Sequence, residues 1–69
     1  MNLREEAYTH SQDEFIYIIE GAIELLYDGE THYMEEGDTA YFKGSKPHLF
    51  KPVDNQGAKV LTIFIQTDV

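Results

Sequence analysis

The segment His10-Ser11-Gln12-Asp13-Glu14-Phe15-Ile16-Tyr17-Ile18-Ile19-Glu20-Gly21 sets a histidine and a carboxylate four positions apart, just ahead of the most apolar run in the chain. That run, Phe15 to Ile19, is aromatic or β-branched at every position, which favours a strand. Gly21 marks a turn after it. If Glu14 points inward, the two-residue period of a strand carries Ile16 and Ile18 inward with it. Phe15, Tyr17 and Ile19 then occupy the opposite face, where a strand exposed on one side is ordinarily polar. A chain this short has little material to cover them, so the pattern predicts a homodimer built on that face.

The remaining residues repeat the same short grammar. Strand-like stretches fall at 6–9, 14–20, 22–27, 30–34, 39–42, 47–51 and 58–66, about seven in all. Between the third and fourth stands Asp28-Gly29, the strongest hairpin signal in the chain, because a type I′ turn needs positive φ at both central residues. Glu35-Glu36-Gly37-Asp38 and Lys43-Gly44-Ser45-Lys46 read as further turns, with the Asp38 carboxylate accepting turn amides. No helical period of useful length occurs. Short strands separated by turns predict an all-β sandwich or barrel.

Sixty-nine residues allow one domain, 1–69. A core of this size typically supplies only about 3–5 kcal/mol, so a staple, a metal or a partner is expected. With no cysteine, disulfides are excluded, which leaves metal binding or oligomerisation. The net charge of −8 repels phosphate backbones and argues against direct nucleic-acid binding. Neither a secretion signal nor an apolar stretch of membrane-spanning length is visible, so the expectation is a cytoplasmic protein without a membrane partner.

His10 and Glu14 lie about 13 Å apart on a fully extended strand, too far to share an ion at ligand distances of about 2.0–2.2 Å. They can do so only if Ser11-Gln12-Asp13 bends the chain, and its polar composition suits a bend. His48, after Pro47, is the best third ligand. Two histidines and a carboxylate form the facial set typical of Fe(II) sites with open positions, a set that Mn, Zn or Ni can also use. The alternative is a pair of histidines hydrogen-bonded to Glu14 in a closed pocket, without metal. His32, beside Glu30 on a polar strand, reads as surface.

At these residues the chain resembles the cupin superfamily. In its first motif, G-x5-H-x-H-x3,4-E-x6-G, the second histidine, the glutamate and the closing glycine match His10, Glu14 and Gly21. Tyr8 stands where the other histidine would be, and Asn2 replaces the opening glycine. In the second motif, G-x5-P-x-G-x2-H-x3-N, Gly37 and His48 match, while Lys43, Ser45 and Pro52 replace the proline, second glycine and asparagine. The resemblance implies a minimal cupin double-stranded β-helix, a jelly-roll barrel. It also implies a divalent metal (Fe, Mn, Zn or Ni) on His10, Glu14 and His48, and a small-molecule pocket lined by Tyr8, Ile16, Ile18 and Phe50. The string from Tyr8 to Phe15 is similar to the start of the cupin sensor domain that follows a helix-turn-helix in one class of bacterial regulators.

Two functions follow from the resemblance. The first is a binding module that holds a metal or a small molecule, with sensing as its use. The second is a metal-dependent enzyme of dioxygenase or isomerase type. For catalysis the sequence offers few groups beyond the ligands, namely Tyr8, Thr62 and Tyr41, and its lysines fall in turns or on outer faces. That scarcity favours the binding module.

Overall fold

A computed structural model describes residues 9–54 and 57–66. Six strands follow one another without a helix among the described residues: β1 (Asp13–Glu20), β2 (Ala22–Tyr27), β3 (Glu30–Glu35), β4 (Thr39–Lys43), β5 (His48–Pro52) and β6 (Lys59–Ile65). They coincide with the expected stretches to within a residue or two. The seventh, at 6–9, lies outside the described residues except for Thr9. The turn between β2 and β3 has the backbone its sequence demands, with φ of 49° at Asp28 and 88° at Gly29. At the β3–β4 turn, the Asp38 carboxylate accepts the Glu35 amide at 2.9 Å.

The strands form two antiparallel three-stranded sheets, ordered β4-β1-β6 and β3-β2-β5. Their inner faces meet in a core of Ile16, Ile18, Ile23, Leu25, Met34 and Phe42, with Tyr27, Phe50 and Val60 packed around it. Ile16 and Ile18 are fully buried, as the parity of β1 requires. Burying each such side chain contributes about 1.5–3 kcal/mol.

The jelly-roll barrel expected from the resemblance is not what forms. Among the described residues no ladder joins the two sheets, and β4, β6, β3 and β5 remain edge strands. Barrel closure requires tilted, staggered strands whose edges hydrogen-bond all the way round. Here the strands are 5–8 residues long, and the turns at Gly21 and at Gly37-Asp38 end them before one could pass from sheet to sheet. The architecture is an open two-sheet sandwich, and neither β-barrel nor jelly roll describes it. Its two open seams, β5 beside β6 and β3 beside β4, are where the clefts lie.

Candidate metal centre

Three functional side chains reach one end of the β5–β6 seam from different parts of the chain. Glu14 is the second residue of β1, opposite Phe42 on β4 and Phe64 on β6. Its inward parity, shared with Ile16 and Ile18, leaves it almost wholly buried. His48 opens β5, opposite Tyr27, and is buried as well. His10 precedes β1, and the bend expected between it and Glu14 is present at Ser11 and Gln12. The bend folds His10 back until its Nε2 lies 3.1 Å from Glu14 Oε1.

Gly44 holds that bend, a role that its place in the Lys43–Lys46 turn does not announce. The His10 amide donates to the Gly44 carbonyl at 2.8 Å, and the Gly44 amide donates to the Gln12 carbonyl at 3.1 Å. A Cβ at position 44 would overlap the His10 ring and the Gln12 carbonyl oxygen. Only glycine lets this strand end approach so closely. The contact is non-local, so no pattern within the Lys43–Lys46 turn could have revealed it.

The ring orientations are set by the backbone. His10 Nδ1 lies 3.0 Å from the Gln12 carbonyl oxygen, and His48 Nδ1 lies 2.7 Å from that of Lys46. A carbonyl oxygen only accepts, so each Nδ1 carries the proton and each Nε2 presents a lone pair. This is the arrangement in which metal-ligating histidines are commonly held. Phe42 and Phe64 set their edges or faces against the two rings, at centroid distances of 5.1 Å to His48 and 5.1 Å to His10.

The three free donors converge. His10 Nε2 and His48 Nε2 are 3.0 Å apart, and Glu14 Oε1 lies 3.1 Å from the first and 3.3 Å from the second. Two imidazole lone pairs and a carboxylate oxygen at such separations repel one another unless a cation sits among them. At ligand distances of about 2.0–2.2 Å, neighbouring donors of an octahedral ion stand about 3.0 Å apart and those of a tetrahedral ion about 3.4 Å. The triangle fits one divalent ion. A metal-free network would need an added proton to hold the two Nε2 atoms together, so the donor set suits a metal better.

Beside the triad the seam opens into a pocket of about 290 Å³, lined by His10, Glu14, His48, Leu49, Phe50 and Phe64. Of the residues expected to line a small-molecule pocket, Phe50 is there, Ile16 and Ile18 lie in the core between the sheets, and Tyr8 is outside the described residues. Thr62 sits opposite Ile16, and Tyr41, opposite Phe15 on the neighbouring strand, donates its hydroxyl to Asp13 at 2.7 Å. His32 is half-exposed on β3, 3.4 Å from Glu30.

A family model for the cupin domain matches residues 3–64. No curated protein and no solved structure matches the chain. The motif register and the model agree over nearly the whole sequence, and the chain belongs to the cupin family.

Proposed function

We propose that the protein binds one divalent transition metal through His10, Glu14 and His48 and acts as a metal-dependent enzyme on a small molecule held in the adjoining pocket. One observation carries this reading: two lone-pair nitrogens and a carboxylate oxygen, 3.0–3.3 Å apart, face one another at the end of an open seam. Three protein ligands on one side of an ion leave its other positions open. Bound there, the metal supplies Lewis acidity and, as iron(II), reactivity toward dioxygen, which is the dioxygenase or isomerase class of chemistry.

The chain's own residues have definite tasks. The Gln12 and Lys46 carbonyls fix both imidazole tautomers, and Glu14 supplies the compensating negative charge. Leu49, Phe50 and Phe64 line the remainder of the pocket and exclude water from the body of a substrate. Among the described residues lining the pocket no lysine or arginine occurs, and recognition there rests on shape and on the metal.

A sensor module of the type fused to helix-turn-helix domains could use the same pocket for binding alone. The open positions beside a facial ligand set favour catalysis over that reading. The test is an anaerobic titration with Co(II), followed by Fe(II), Mn(II), Ni(II) and Zn(II). One ion per chain with a visible Co(II) ligand-field spectrum is expected, and loaded protein should consume oxygen or isomerise a small apolar substrate. Absence of stoichiometric binding by every one of these ions would sink the proposal, and binding without turnover would favour the sensor.

A further inference from the structure

Between the free edges of β3 and β4 the sandwich opens into a second cleft, about 630 Å³, which takes no part in the metal centre. Phe42 stands between the two, its ring 5.1 Å from His48 and 5.2 Å from Tyr27. Size alone decides nothing about such a space; its ends and its lining do. At one end the chain itself crosses from sheet to sheet, through Gly37 and Asp38. That crossing is fixed to β1, since the Gly37 amide donates to the Ile18 carbonyl at 2.8 Å and the Ile18 amide to the Asp38 carbonyl at 3.0 Å. At the other end Tyr27 spans the sheets, its hydroxyl donating to the Lys43 carbonyl at 3.2 Å. A strand from another protein would have to run out past both ends to pair along these edges. The cleft suits a small molecule instead, and its volume lies in the range such ligands occupy.

The lining selects the chemistry. Leu25, Met34 and Phe42 are buried and give an apolar floor. Tyr27, Tyr33 and Tyr41 add aromatic rings, and the hydroxyls of Tyr27 and Tyr41 are engaged with Lys43 and Asp13. Ring faces attract a cation, and a thioether such as that of Met34 packs well against a ring. Among the described residues that line the cleft none is lysine or arginine, and His32 lies 3.4 Å from Glu30. Asp38 brings a carboxylate to the lining. Its Oδ2 accepts the Glu35 amide at 2.9 Å, which holds the side chain in place, while Oδ1 takes no hydrogen bond from any described residue. The chain as a whole carries −8, which draws cations and turns anions away.

An apolar floor, aromatic walls and a fixed carboxylate are complementary to a flat ring that bears a positive charge. We propose that this cleft binds a small aromatic amine in its protonated form, with the ring on Leu25, Met34 and Phe42 and the ammonium on Asp38.

The experiment is an NMR titration of the full chain with tryptamine, beside tryptophol and indole-3-acetate as its neutral and anionic counterparts. It is run on metal-free and on Zn(II)-loaded protein. Tryptamine should saturate one site per chain and move the methyl signals of Leu25, Met34 and Ala40, leaving those of Leu49 beside the metal pocket in place. It should bind about 10-fold more tightly than tryptophol, the gain expected of a hydrogen bond to a charged group, with indole-3-acetate weakest. Asp38→Asn keeps an oxygen for the Glu35 amide, so it should abolish the preference for tryptamine while tryptophol binds as before. Should that variant fail to fold, salt decides on the wild type, since about 0.5 M NaCl should weaken tryptamine and spare tryptophol. Equal affinity for the three compounds overturns the proposal, as does movement of Leu49 in place of Leu25, or shifts that spread over the surface acids without saturating. The metal-free titration needs no ion, so this proposal and the metal site can fail separately.

Discussion

Because the sandwich stays open, it has two seams, and they differ in an instructive way. The β3–β4 seam holds the larger cleft, about 630 Å³, lined among others by Tyr27, His32, Met34, Tyr41 and Phe42. The β5–β6 seam holds the smaller one, about 290 Å³. Each seam has a histidine with a carboxylate near it. In the larger, His32 and Glu30 are half-exposed or more, at 3.4 Å, and water solvates both. In the smaller, His10, Glu14 and His48 are held by backbone carbonyls, by Gly44 and by aromatic rings. Volume does not make a metal site. Preorganised donors that cannot turn away from one another do.

The sharpest way to break that comparison is to delete one histidine from each seam. His48→Ala removes a ligand from the triangle and should lower metal affinity by more than about 100-fold, beyond the usual cost of losing an outer-shell partner. His32→Ala should leave affinity unchanged. Competition titration against a chromophoric chelator measures both. Equal losses would mean that the ion sits elsewhere or nowhere. The same titration at falling pH should show weakening, because protons compete with the metal for the imidazole lone pairs and the carboxylate.

Between the seams lies the dry core, which both depend on. Ile18 is fully buried on β1, and Ile18→Ala should destabilise the fold by about 2–5 kcal/mol through lost transfer energy and the cavity left behind. Leu26→Ala, on the half-buried outward side of β2, should cost clearly less. Urea unfolding of both variants with the metal removed separates core packing from any stapling by the ion. If the two cost the same, the inward parity assigned to β1 is wrong.

That parity was the part of the fold most legible in the sequence. Glu14, Ile16 and Ile18 share a period, and period survives into structure because one face of the strand is buried. The Asp28-Gly29 turn was legible because its backbone is dictated by the residues themselves. The convergence of His10, Glu14 and His48 was legible once the bend at Ser11 and Gln12 was granted. Closure into a barrel was not. It depends on whether the edge of β4 meets that of β3 and the edge of β6 meets that of β5, and edge pairing leaves no mark in the alternation of either strand. Gly44 was illegible for a related reason, since what forbids a side chain there is a histidine 34 positions earlier in the chain.

Gly44 supplies a subtler test of preorganisation in the smaller seam. Gly44→Ala places a methyl where the His10 ring stands, so the ring must swing away or the strand end must part from it. Metal affinity should fall by about 10–100-fold, the range seen when a group that orients a ligand is lost. Ser45→Ala, one position on and exposed, should bind as the wild type does. Calorimetric titration of the two variants makes the comparison. An unchanged affinity in Gly44→Ala would show that His10 does not need this approach to reach the ion.

The smallest effect is expected at the margin of the larger seam, where the Tyr41 hydroxyl donates to Asp13 at 2.7 Å. The hydrogen bond to Asp13, the loss of solvent around the phenol and the negative charge of Asp13 all raise the Tyr41 pKa above its ordinary value of 10.0. A group whose folded pKa is raised stabilises fully below its unfolded value and loses that contribution as pH climbs through the folded one. Wild type should therefore melt slightly above Tyr41→Phe at pH 8, and the gap should close as pH rises beyond 10. The ring is more than half exposed, so solvent screens the interaction and the difference stays small. Tyr33→Phe serves as the control, being comparably exposed on the other sheet. Thermal melts of the three proteins between pH 8 and 11 check the sign. A gap between wild type and Tyr41→Phe that widens with pH would mean that the phenol does not donate to Asp13 in solution.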